Sequence, residues 1–177
     1  MFEKLKSILY KNQFDVFFGK VYEDSNLHGI AVNYYFTNSI VKIPNKNFVG
    51  LPDYTFRLLL YSARLLKEEK EREVRIFDGE YVLILYKKGN QICVYYQWKY
   101  CIKKINDNLI YMGNRSTQKK LFYKGVYLDF VKKLYNISLE LQKKVEKYGI
   151  ITDAEVELPQ QMDMLKKHIA KIEKSLA

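Results

Sequence analysis

The sequence predicts an α+β fold: a mainly antiparallel sheet of consecutive hairpins packed with helices, and a C-terminal helix appended to it. Three observations carry that prediction. Runs of period-two alternation follow one another across short turn signals, apolar residues step by threes and fours in separate blocks, and these blocks are segregated rather than alternating as βαβ units would. At 177 residues the chain suits one domain, able to bury roughly 70% of the surface its unfolded form exposes.

The elements follow in order. Phe2, Leu5 and Leu9 mark a short amphipathic helical face; FDVFFGKVYED and HGIAVNYYFTN read as two strands about the Asp24-Ser25-Asn26 turn, and SIVKIP as a third short one. Asp53 stands where an N-cap is expected, and Phe56, Leu59, Leu60, Ala63 and Leu66 form a helical stripe that runs into the charged tail KEEKERE. From Val74 to Met112 strands dominate, broken by Asp78-Gly79, Gly89-Asn90 and Asn106-Asp107-Asn108. Tyr127, Phe130, Leu134, Ile137, Leu141, Val145 and Tyr148 then repeat at helical spacing until Gly149 stops them, with Gly125 at the strand-to-helix bend. The linker ITDAEVEL leads to Pro159 at a first helical position and a last helix with Met162, Leu165, Ile169, Ile172 and Leu176 on a narrow seam. One α+β domain over 1–149 and a linker plus helix over 150–177 are therefore expected. That seam is too little to sustain an isolated helix, so it is expected to dock on the domain or, through 159–176, on a second copy of the chain.

The stretch ICVYYQWKYC holds both cysteines and four aromatics. As a strand it puts Ile92, Val94, Tyr96, Trp98 and Tyr100 on one face and Cys93, Tyr95, Gln97, Lys99 and Cys101 on the other. Cysteines eight residues apart on one strand lie about 26 Å apart, whereas a disulfide needs Cα atoms within about 7 Å. Two reduced thiols are expected. The face with Ile92 and Val94 needs covering, while Tyr95 and Lys99 are left to meet a partner.

Recognisable catalytic patterns are missing: no Gly-rich phosphate loop, no GxSxG elbow and no HExxH occur. His28 sits in a polar hairpin turn and His168 in a lysine-rich helix, where exposure is the expectation for both. Asp153, Glu155 and Glu157 alternate in an acidic linker without further oxygen ligands for a hard cation. The chain is thus expected to be non-enzymatic, with neither cofactor nor metal. No apolar run reaches the roughly 20 residues of a membrane span, and charges interrupt MFEKLKSILYKNQF where a signal peptide needs an apolar core, so a cytoplasmic protein is expected.

Charge is unevenly placed. The net charge is +10, and residues 87–147 alone carry 14 Lys and Arg against four acids, Asp107, Asp129, Glu140 and Glu146. Such a segment is an electrostatic footprint for an acidic surface or nucleic acid. The stretch YKGVYLDFV starts like an RNA-recognition strand motif, but Val126 and Leu128 stand where aromatics are required and Phe130 continues into a helix. Five arginines, Arg57, Arg64, Arg72, Arg75 and Arg115, leave few candidates for bidentate readout.

From Glu73 to Gly149 the chain runs VRIFDGEYVLIL, GNQICVYYQW, further strands, and VYLDFVKKLYNISLELQKKVEKYG with Asp129 and Phe130 at the helix start. That layout resembles the small immunity proteins of bacterial polymorphic toxin systems, including those of contact-dependent growth inhibition. The resemblance implies a non-catalytic protein that binds a toxin domain and blocks its active site; it carries over no functional residues. The expected partner is a protein toxin domain, with nucleic acid as the alternative through the lysine-rich segment and a homo-oligomeric module as a third. Two surfaces are candidates. An acidic partner would meet Lys99, Lys103, Lys104, Arg115, Lys119 and Lys120, with Tyr95 or Tyr111 as anchor. A basic nuclease would instead meet Glu68, Glu69, Glu71 and Glu73, expected at the acidic end of the helix that starts near Asp53, where carboxylates substitute for substrate phosphates. The localised basic excess favours the first.

Overall fold

The computed structural model describes residues 13–24, 29–76, 80–105, 108–114, 118–147 and 153–176. The helix expected from Phe2, Leu5 and Leu9, the Ser25-Asn26 and Asp78-Gly79 turns, His28, Arg115 and the stop at Gly149 lie outside the described residues.

The architecture is α+β, with antiparallel sheets of hairpin strands and three described helices. In the first sheet β1 (Asp15–Asp24) pairs with β2 (Gly29–Thr37), which also pairs with the short β3 (Lys42–Ile43) and β4 (Val49–Gly50). After α1 (Pro52–Arg64), a second sheet forms in the order β10-β7-β6-β5 from β5 (Glu71–Arg75), β6 (Tyr81–Lys88), β7 (Gln91–Trp98) and β10 (Lys120–Val126). Strands β8 (Tyr100–Ile105) and β9 (Asn108–Asn114) make a separate two-stranded ribbon. The chain closes with α2 (Tyr127–Glu146) and α3 (Asp153–Leu176).

Among the described residues one core joins the three helices to both four-stranded sheets. Period-two alternation buries Val32, Tyr34 and Phe36 from β2 and Ile92 and Val94 from β7, while the 3.6-residue stripes bury Phe56, Leu59 and Leu60 from α1 and Phe130, Leu134 and Leu141 from α2. Aromatics fill the junction: Phe14 packs edge-on to Phe130 with centroids 5.1 Å apart, and Phe36 stacks on Phe56 at 5.8 Å. The buried Asn38 amide donates to the Phe122 carbonyl at 2.7 Å, tying the first sheet to β10.

Four sequence expectations change. Asp53 is not the cap: α1 starts at Pro52 after Leu51, because a proline there loses only an N–H that the first turn leaves unpaired, and Asp53 lies buried in that turn. The charged tail does not continue α1. The Leu65 N–H donates to Tyr61 O at 3.1 Å, Glu69 adopts φ 52°, and the chain reverses into β5, whose one buried residue is Val74, so Glu68 and Glu69 sit in a turn and Glu71 and Glu73 in a strand. The aromatic stretch is not one strand, since β7 ends at Trp98 and β8 begins at Tyr100, with the Lys99 N–H donating to Glu80 O at 2.9 Å. Finally, the acidic linker is helical from Asp153, and Pro159 lies inside α3. Leu158, Met162, Leu165 and Ile169 are buried in the common core, so the seam of this helix docks on α1 and α2 of its own chain.

Candidate partner-binding surface

The helices and Ile92, Val94 and Phe122 occupy the inner side of the second sheet. Alternation therefore sends Cys93, Tyr95 and Gln97 to the outer side. The register aligns Glu73, Ile84, Tyr95 and Leu121 in a row across all four strands, with Glu71, Tyr86, Cys93 and Lys124 in the next row. Tyr95 is half-buried, and burial pushes its phenol pKa up, with the neighbouring Cys93 thiol adding to the effect. Cys93 is a free thiol.

The two surfaces that the sequence sets apart meet on this face. Lys119 Nζ pairs with Glu71 Oε1 and lies 5.3 Å from the Tyr95 ring centroid. Lys99 Nζ pairs with Glu73 Oε2. A tyrosine with one lysine–glutamate pair against its ring thus shares this sheet with a second such pair, the anions coming from β5 and the cations flanking β7 and β10. Each pair is partly exposed and worth little in isolation, on the order of 0–1 kcal/mol, but the Lys119–Glu71 pair keeps its ammonium beside the Tyr95 ring.

Glu68 and Glu69 make contacts apart from this group. Glu68 accepts the Gly89 N–H and pairs with Lys87 at 3.0 Å; the Gly89 hydrogen bond first, then Lys87, holds its pKa below the usual carboxylate value. Glu69 pairs with Lys88 at 3.1 Å. These two carboxylates fasten the β6–β7 turn, where Gly89 has φ 59°. Lys120 is exposed at the start of β10. Lys103 and Lys104 lie in β8 opposite Ile110 and Leu109, and Tyr111 lies in β9 opposite Ile102.

A further polar site was not read from the sequence. His168, expected to be exposed, is half-buried in α3, with Nε2 3.0 Å from the Tyr127 hydroxyl oxygen. That hydroxyl donates its one proton to Ala63 O at 2.6 Å, so the His168 Nε2–H is the donor to Tyr127. Burial raises the Tyr127 pKa to about 12; burial, then Arg64, Lys171 and Lys87, lowers that of His168. Both residues line a cavity of about 410 Å³ with Leu66, Lys87, Gly89 and Ile172. The available signal was the position of His168 between Leu165 and Ile169, on the flank of the apolar seam.

Among the described residues no cluster of three metal-ligating side chains occurs, and no helix is long and apolar enough to cross a membrane. No protein-family model, curated protein or solved structure matches the chain.

Proposed function

We propose that the chain acts stoichiometrically by binding, as an immunity protein that neutralises a toxin domain through the outer face of the second sheet. The observation that carries this reading is Tyr95, an aromatic with the glutamate-paired Lys119 ammonium 5.3 Å from its ring centroid and a second lysine–glutamate pair, Lys99 with Glu73, on the same sheet. Pre-positioned side chains lower the ordering cost of association, and an aromatic centre with a charged rim is how protein interfaces divide affinity from specificity. Mixed charge suits a partner with both signs at its contact, rather than a bare phosphate backbone. The reading places the protein in the cytoplasm, where it would meet an incoming toxin. A toxin C-terminal domain encoded in the adjacent reading frame is expected, and co-expression tests the proposal. Cells making that domain should survive with the parent chain and die with a folded Tyr95→Ala, Lys99→Glu variant; equal survival would remove this face from the proposal.

A further inference from the structure

The first sheet has an outer face of different character. Phe17 and Tyr22 on β1 point away from the core and are 46% and 40% exposed. Phe17 stacks on Tyr35 of β2, with centroids 5.0 Å apart and planes 19° apart, and Lys42 Nζ lies 5.2 Å from the Tyr35 centroid. Lys20 stands at the same 5.2 Å from the Tyr22 centroid. Phe17 also lines a cavity of about 400 Å³ together with Val16, Phe18, Glu140, Lys143, Lys144 and Lys147. Three ammonium groups therefore face one carboxylate beside an exposed, stacked ring.

These lysines differ from those of the second sheet. Lys99 and Lys119 are paired with glutamates, whereas Lys42, Lys143 and Lys147 form no ion pair among the described residues. Lys144 donates to Phe18 O at 3.4 Å, which draws its chain over the strand. A ligand matching this surface has negative charge for the lysines and a flat apolar ring for Phe17. An acidic peptide supplies the first only, and a duplex keeps its bases stacked inside.

We propose that this face binds single-stranded nucleic acid, with a base stacking on the Phe17–Tyr35 pair and phosphates meeting Lys143, Lys144 and Lys147. Ring stacking tolerates any base and lysines act as point charges, so binding is sequence-independent. The site shares no residue with the proposed toxin contact.

The test is fluorescence anisotropy of the full chain with labelled 20-mers of dT and of U, at 50 and 200 mM KCl. Both oligomers should bind, and affinity should fall by on the order of tenfold to a hundredfold across that salt range for three to five phosphate contacts. Phe17→Ala should weaken binding by about fivefold to a hundredfold with the salt slope unchanged. Lys143→Glu with Lys147→Glu should weaken binding and flatten the slope, while Lys119→Glu should do neither. These positions are exposed, so unchanged thermal melts establish that the variants fold. No binding at 50 mM, or binding indifferent to Phe17→Ala, overturns the proposal. Labelled poly-glutamate binding as tightly as the oligomers overturns it in favour of an acidic protein ligand.

Discussion

Lys119 reaches across the outer face of the second sheet to Glu71, and in doing so places its ammonium 5.3 Å from the centre of the Tyr95 ring. The pair joins an edge strand to the residue preceding the opposite edge, so it spans the sheet rather than one hairpin. Its strength is limited by exposure.

Lys119→Glu should destabilise the fold by about 0.2–1 kcal/mol, and Glu71→Lys by a similar amount, while the double exchange should recover most of the loss. Urea denaturation of the four proteins checks this. If the double exchange is merely the sum of the single changes, the two groups do not interact in solution.

Tyr127→Phe should cost about 1–2 kcal/mol, because the hydroxyl satisfies the Ala63 carbonyl near the end of α1 and accepts from His168, and the phenylalanine keeps the ring volume. The cost is held down because the Leu66 N–H also reaches Ala63 O, at 3.3 Å. The expected signature is a lower denaturation midpoint with an unchanged slope. An unchanged midpoint would mean that water replaces the hydroxyl without penalty.

The same site gives a pH dependence. The folded pKa of His168 lies below the ordinary imidazole value of about 6.5, since burial and the Arg64, Lys171 and Lys87 charges disfavour the imidazolium. The unfolded chain therefore binds this proton more readily than the folded one. The contribution is complete above about pH 6.5 and is lost as pH falls through the folded value. Melting temperatures of the parent should fall more steeply than those of His168→Gln between pH 7 and pH 5. Parallel curves would contradict the assignment.

How much of this was legible in the sequence depends on which physical signal dominated locally. Strands β1 and β2, the Gly89-Asn90 hairpin and the α2 stripe were visible because their apolar period matches a single buried face. Strand β5 was legible from Val74 onward but not in its first half, because Glu71, Arg72 and Glu73 carry no apolar period and extended the charged tail of α1. The first turns of α3 were read as a linker because Pro159 is favoured at a first helical position, and inside a helix it loses the N–H donation to the Glu155 carbonyl and its ring crowds that carbonyl; the helix runs through it all the same. Of the candidate surface, Tyr95, Lys99 and Lys119 were identified, and so were Glu71 and Glu73, but as rival sites. Their union depends on the β5–β6–β7–β10 order, which period and propensity do not encode. His168 was misread because one polar residue on the flank of an apolar seam has no periodic signature.

The central claim, that the outer face of the second sheet is where a toxin domain is held, is tested most directly by isothermal titration. The titrant is the toxin domain that the proposal expects in an adjacent reading frame, and parent and Tyr95→Ala proteins are compared. A saturable one-to-one complex is predicted, with Tyr95→Ala weakening it by about 2 kcal/mol or more, roughly thirtyfold, as expected for a central aromatic anchor. Complex formation with the same affinity for both proteins would contradict the claim.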